Sequence, residues 1–283
     1  MKFNHLIWII LASILLVHPS VGHTQEAADN KITILHTSTG VRFGILDKKP
    51  TSPEPTLFIF ADTIENTLRR EDFSLVAQIL AKKGYLAVSL DLPCHGMDVK
   101  QGEPADGLSC WRVRLERNDN FVEDFMPRIS AVLDFLVKEG YTNPRKVAAC
   151  GASRGGFIAL QFAAHDPRVK CVFAFAPVTN LLALKEFAGV EENPGALRLV
   201  LSLALANIAE KLTERSIWLA IGNYDLRVST DDAIAFTRRL VELSIMENRP
   251  PKVELHVMTN VDHSVPTHAA EDSAAWLLKE LEK

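Results

Sequence analysis

The sequence predicts an α/β fold, a mostly parallel central sheet with helices on both faces. Three observations carry that expectation. Short continuous apolar runs such as Thr56-Leu57-Phe58-Ile59-Phe60 have the pattern of strands buried on both faces. They alternate with longer segments of helical periodicity, the order that builds a parallel sheet through crossover connections. A serine also stands between glycines, in Gly151-Ala152-Ser153-Arg154-Gly155-Gly156, between a strand-like run and a helix-like one.

The elements follow in order. Lys31 to His36 and Val41 to Leu46 read as two strands joined by a turn holding Ser38-Thr39-Gly40. Lys48 to Pro55, with its three prolines, is a loop, and Thr56 to Phe60 is the first buried strand. Asp72 to Lys83 has helical spacing and stops at Gly84; Tyr85 to Leu90 is a strand; Phe121 to Glu139 is a helix that stops at Gly140. Val147 to Cys150 is the strand before the serine and Gly155 to His165 the helix after it. Val172 to Phe175, Ile217 to Ile221 and Val253 to Met258 are further strands, with helices at Thr230 to Glu247 and His268 to Leu281. Ligands of such sheets bind beyond the carboxyl ends of the strands.

Two connections are long. Pro93 to Asn120 reads as an excursion after the fourth strand. Residues 177–215 include the apolar Gly195 to Leu212, which fits either a small helical lid over the strand ends or an extra helix packed on the sheet.

The N-terminus has the form of an export signal. Lys2 and His5 precede the apolar run Leu6 to Val17, too short to span a bilayer comfortably, and Ser20 and Gly22 fit a cleavage site before His23. Residues 1–22 are therefore expected to be a signal peptide, 23–30 a short polar lead-in and 31–283 one α/β domain. A periplasmic or secreted location follows, without stable membrane insertion after cleavage. Export permits disulfides. Cys94 and Cys110 lie in loop-like sequence and are candidates for a bridge. Cys150 ends its strand and Cys171 begins the next, at opposite edges of a parallel sheet, which argues against that pair.

Composition excludes some functions. With 47% hydrophobic and 23% charged residues, a net charge of −4 and no basic stripe interleaved with aromatics, nothing points to nucleic acid. Cys-x-x-Cys metal spacing is absent from the sequence.

The chemistry concentrates around Ser153. Gly-x-Ser-x-Gly after a strand and before a helix is the sequence form of a nucleophile elbow, a turn too tight for a Cβ two positions either side of the serine. A serine hydroxyl needs a general base within hydrogen-bond reach, and the base needs a carboxylate to fix its tautomer. On this type of sheet the chain order is serine, acid, histidine. Asp225 stands just past the strand ending at Gly222; the nearby Asp231 and Asp232 better fit the first turn of the following helix. His263 lies in the loop after the next strand, while His256 is within that strand and His268 begins the last helix.

With these residues the chain resembles the α/β-hydrolase superfamily, in particular the branch of dienelactone hydrolase-like and prolyl oligopeptidase-like serine hydrolases. The resemblance runs from about Lys31 to Leu281. It rests on the Gly151 to Gly156 elbow, on Gly222-Asn223-Tyr224-Asp225, on Asp262-His263-Ser264, and on Asp91-Leu92-Pro93-Cys94-His95-Gly96, a loop that is mainly architectural in the family. It implies Ser153 as nucleophile, His263 as base and Asp225 as its carboxylate, with no cofactor and no metal. It implies an oxyanion hole from the backbone N–H of Arg154 and a second N–H after the third strand. The family's His-Gly pair is missing there, and the segment Phe60-Ala61-Asp62-Thr63 leaves Asp62 or Thr63 as the donor. The Arg154 side chain is open to two readings, a substrate-binding group for an acidic moiety or a partner of a local carboxylate.

The function expected is an exported serine hydrolase acting on small-molecule or polymer-linked carboxylic esters. The alternatives are a serine peptidase of prolyl oligopeptidase type and a non-catalytic binding protein on a hydrolase scaffold.

Overall fold

The computed structural model describes residues 31–282. The signal-peptide and lead-in expectations fall on residues outside that range. Eight strands form one sheet: β1 (Ile32–His36), β2 (Arg42–Leu46), β3 (Glu54–Phe60), β4 (Leu86–Ser89), β5 (Thr142–Ala152), β6 (Val169–Phe175), β7 (Ser216–Gly222) and β8 (Val253–Met258), in spatial order β1-β2-β4-β3-β5-β6-β7-β8. The first two pairings, β1 with β2 and β2 with β4, are antiparallel, and the rest are parallel. The helices are α1 (Ile64–Arg69), α2 (Glu71–Ala81), α3 (Gly107–Glu116), α4 (Phe121–Lys138), α5 (Arg154–His165), α6 (Pro194–Leu203), α7 (Thr230–Met246) and α8 (Ala269–Glu280).

Alternation within the strands divides the core in two. Phe58, Phe60, Ala149, Val172, Ala174, Leu219 and Ile221 face one side, where they meet buried residues of α3 to α7. Their neighbours Leu57, Ile59, Ala148, Cys150, Phe173, Trp218 and Ala220 face the other, against α1, α2 and α8. A strand buried on both faces has no room for a polar position, which is why these strands read as unbroken apolar runs. The chain runs from β3 to β4 on one side and then returns to place β5 on the other side of β3. That reversal opens a crevice at the carboxyl ends of β3 and β5.

The long connection after β4 is not a plain loop, for it contains α3. Asp106 caps this helix by accepting from Ser109 N–H, and Trp111 is fully buried, stacked on Phe121 at 4.5 Å and donating its indole N–H to Pro93 O. Cys94 and Cys110 are joined in a disulfide that closes a loop of 16 residues, a constraint worth about 3 kcal/mol. In the parallel sheet Ala148 pairs with Cys171 and Cys150 with Phe173, so Cys150 and Cys171 are two registers apart.

The segment 177–215 does not form a lid over the serine. It is a series of short 3₁₀ turns around α6, which begins at the Asn193 cap and packs against α3. None of its residues lines the cavity that contains Ser153. The apolar face of α6 is satisfied by the neighbouring helix instead of by the strand ends.

Candidate active site

The turn that presents Ser153 is fixed by close backbone approach. A Cβ on Gly155 would lie 1.9 Å from Phe60 O, and one on Gly151 2.3 Å from the Gly155 carbonyl carbon, so only glycine fits either position. Between them Ser153 is held at φ 53°, ψ −118°, a conformation that L-residues rarely adopt and that persists because the surroundings dictate it. Its N–H donates to Phe175 O at 2.9 Å, and its carbonyl accepts from Val178 N–H and Phe157 N–H.

The Ser153 hydroxyl donates to His263 Nε2 at 2.9 Å, and His263 Nδ1–H donates to Asp225 Oδ2 at 2.8 Å. A carboxylate can only accept, so the proton lies on Nδ1 and leaves Nε2 as the acceptor facing the serine. Asp225 divides its oxygens: Oδ2 faces the imidazole, while Oδ1 accepts from Arg227 N–H at 2.9 Å and Val228 N–H at 3.2 Å. Burial by itself raises the Asp225 carboxyl. The hydrogen bond and charge of His263, with those two backbone donors, outweigh it and hold the group below the usual carboxylate range. Thr230 pins the turn, donating to Gly222 O at 2.7 Å and accepting from Asp225 N–H at 3.0 Å. A Cβ on Gly222 would meet Asn260 O at 2.7 Å, so this glycine lets the loop after β7 touch the loop after β8 and brings Asp225 to His263.

The sites expected for the second oxyanion donor are engaged elsewhere. Asp62 N–H donates to Thr67 Oγ1 at 3.0 Å and Thr63 N–H to Asp62 Oδ1 at 2.9 Å. The cause is helix α1: Thr63 is its N-cap, accepting from Asn66 N–H, and the two amides before the helix bond the side chains of Thr67 within it and of Asp62 beside it. A Thr followed by Ile64-Glu65-Asn66 is the sequence signal that marks this helix start. Arg154 N–H, by contrast, opens α5 and so has no carbonyl within its own helix to bond.

Further acidic and basic residues have structural places around the site. His95, in the loop after β4, donates Nδ1–H to Pro93 O at 2.9 Å, and its Nε2 lies 3.9 Å from Asp62. Burial lowers its pKa below the usual histidine value, with the Arg154 charge adding to the effect. Asp91, 6% exposed, ties the same loop together through Arg42, Ile64 N–H and Met97 N–H. Asp231 and Asp232 sit in the first turn of α7, and His268 caps α8.

Ser153, Arg154 and His263 open into a cavity of about 810 Å³ whose walls include Phe73 and Val76 of α2 and Val265 and Pro266 of the loop before α8. Sequence reasoning did not find these walls, because side chains from α2 and from the 263–271 loop meet only once the sheet is folded. Among the described residues, Cys94, Glu103 and Cys110 form the grouping of metal-type side chains, and its two sulfurs are spent on the disulfide.

An eight-stranded, mostly parallel sheet with this serine elbow, acid and histidine in this order defines an α/β-hydrolase. Within that class the chain belongs to the prolyl oligopeptidase family, whose model matches residues 71–283. Solved structures share the fold at low identity. A putative dipeptidyl aminopeptidase IV from Bacteroides ovatus is 14% identical with TM-score 0.63, over 89% of this chain and 35% of that one. The chain thus spans about a third of that relative's length. A protein from Thermus thermophilus is 20% identical with TM-score 0.64, covering 89% of this chain and 99% of the other. A cold-adapted esterase from an Arctic intertidal metagenomic library is 21% identical with TM-score 0.61, covering 88% and 92%. No curated protein matches the sequence.

Proposed function

We propose that this protein is an exported serine hydrolase that cleaves carboxylic esters through a covalent acyl-enzyme. One observation carries the reading: the unbroken hydrogen-bond chain from Ser153 through His263 to Asp225, opening on a largely apolar cavity. Ser153 Oγ attacks the ester carbonyl while His263 Nε2 takes its proton. The C–O bond to the alcohol then breaks, and His263 returns that proton to the departing oxygen. Water, deprotonated by the same nitrogen, attacks the acyl-enzyme, releases the acid and restores the Ser153 hydroxyl. Asp225 keeps the imidazole in its tautomer and stabilises the imidazolium. Arg154 N–H donates to the developing oxyanion.

Esters are placed before peptides because apolar side chains, Phe73, Val76, Val265 and Pro266, wall the cavity beside Ser153 and suit an acyl chain. The peptidase reading draws its support from the family itself. Fluorophosphonate labelling and turnover of short p-nitrophenyl esters against peptide p-nitroanilides separate the readings. Ser153→Ala is expected to abolish labelling and to lower kcat/KM for esters at least about 1000-fold. Undiminished labelling of that variant removes Ser153 from the mechanism. Preference for the anilides makes the protein a peptidase, and wild-type protein that stays unlabelled is a binding protein. The Leu6 to Val17 run and the Cys94–Cys110 disulfide support an oxidising, extracytoplasmic location. The expected mature N-terminus is His23; intact-mass analysis showing Met1 retained overturns the cleavage.

A further inference from the structure

The wall beside the nucleophile carries a guanidinium with little to hold. Arg154 lines the cavity next to Ser153, and its side chain is 25% exposed. Among the described residues this side chain makes one hydrogen bond, Nε–H to Ala61 O at 3.1 Å. Its nearest carboxylate oxygen, Asp62 Oδ2, is 3.9 Å from Nη2, beyond hydrogen-bond range. Asp62 is occupied by other donors, Oδ1 by Thr63 N–H and Oδ2 by Asn66 Nδ2. A guanidinium has five N–H donors, so both terminal nitrogens of Arg154 are left without a hydrogen-bond acceptor among the described residues. The half-buried Arg168 shows the alternative, spending Nε, Nη1 and Nη2 on Asp166 and Asp134. A second cation stands near: Arg227 acts on Arg154 through its charge, bonds Glu186 through Nη2 at 2.8 Å, and keeps a buried Nη1 without a partner.

We infer that the paired Nη groups of Arg154 form a subsite for a carboxylate carried on the acyl portion of the substrate. The substrate class is then the half-ester of a short dicarboxylic acid. This assignment rests on the esterase reading above and deepens it. The physical reason is economy of placement. Arg154 offers its backbone N–H to the ester carbonyl oxygen, and its side chain reaches back to Ala61 at the end of β3. A planar carboxylate a few bonds from the scissile carbonyl meets two parallel donors there. Asp62, with the charge of Asp106 farther off, keeps the guanidinium partly compensated without filling its donor directions, and an arriving anion takes the donors left over. The reaction is the hydrolysis already written, with the second carboxylate unchanged, and it yields the dicarboxylate and the alcohol.

The test compares kcat/KM for mono-p-nitrophenyl glutarate with that for p-nitrophenyl pentanoate, whose acyl chain has the same number of carbons. Taking the ratio cancels any effect on steps common to both esters. Arg154→Gln is expected to lower the ratio about 10- to 100-fold, the size of lost charge-assisted hydrogen bonds. Arg154→Lys, which keeps the charge and loses the fork, is expected to fall between. Asp62→Asn removes the nearer of two compensating charges, leaving Asp106, and should raise the ratio. An Arg154→Gln ratio equal to wild type overturns the subsite, as does a response confined to 4-acetoxybenzoate, which carries its carboxylate on the alcohol side. Calorimetric titration of glutarate into Ser153→Ala and Ser153→Ala/Arg154→Gln reads the subsite without catalysis. Affinity that depends on Arg154 sustains the subsite even if Ser153 proves unlabelled and the esterase reading falls. Affinity indifferent to Arg154 overturns the subsite even if Ser153 labels fully.

Discussion

On the α3 side of Ser153 the chain is clamped by charge and covalent chemistry. Arg114, 6% exposed, bonds Glu103 through Nε and Nη2 and Asp98 through Nη1, all at 2.8 Å. Arg112 Nη1 donates to Glu186 O and Ala188 O, tying α3 to the turns before α6. Cys94 and Cys110 close the same region. On the α2–α8 side the wall is built from apolar side chains with few polar ties: Phe73 lies under the exposed Arg70, whose hydrogen bonds go to Asp72. The α3 side, which lines none of the cavity, is held by directional bonds that fail if a partner is lost. The other is held by area, and it can change shape by exchanging one side chain. The lesson is a division of labour in which the clamped side stiffens the surroundings of the elbow and the apolar wall shapes the cavity beside Ser153.

The sharpest way to break that comparison is at Arg114. Arg114→Met leaves Glu103 buried without its guanidinium and Asp98 with Arg128 alone, a loss of about 3 kcal/mol of stability, measurable by chemical denaturation. An effect below about 1 kcal/mol would show the network to be ordinary surface pairing.

A second arm uses acid. The Arg114 hydrogen bond holds the Glu103 carboxyl down from 4.5 to about 2. The folded pKa is depressed, so the stability it brings is fully present above pH 4.5 and is lost as pH falls through the folded value. For a side chain only 2% exposed the swing is on the order of 3 kcal/mol. Wild-type protein should lose this stability between pH 4.5 and about 2, and Arg114→Met should lack that part of the acid dependence.

The smallest stability effect belongs to the apolar wall. Phe73→Ala should destabilise by only about 1 to 2 kcal/mol, because the ring is half-buried, yet shift the preferred acyl length upward in an ester panel. A variant with unchanged chain-length preference would mean that the cavity at α2 does not hold the acyl group.

Much of this architecture was legible in the sequence, for reasons that particular residues show. Leu57 to Phe60 and Ile217 to Ile221 read correctly as strands because both their faces are buried. Asp225 and His263 could be picked because each follows such a strand in the order the elbow demands. Helix α3 was hidden in what read as a loop, since Arg114, a buried charge, interrupts the apolar period that would have marked it. The 177–215 segment was legible as buried but not as buried against what; α6 found α3 rather than the strand ends. The Asp62 and Thr63 amides were assigned to the wrong partner because the six-residue helix α1 is too short to announce itself by periodicity, and only its Thr63 cap gave it away.

His263 hangs from β8, the last strand of the sheet, which pairs with β7 alone and has no fully buried residue. Edge segments of this kind open locally at free energies well below global unfolding. Such an opening would carry the imidazole away from Ser153 while the central strands stay paired. Thermal failure is then ordered in time: heated samples should lose ester turnover before they lose ellipticity, and amides of β8 should exchange with solvent ahead of those in β5 and β6. If activity and ellipticity vanish together, the edge is as firmly held as the centre. If turnover fails first, the protein's working lifetime is set by one outer strand more than by the bulk of its core.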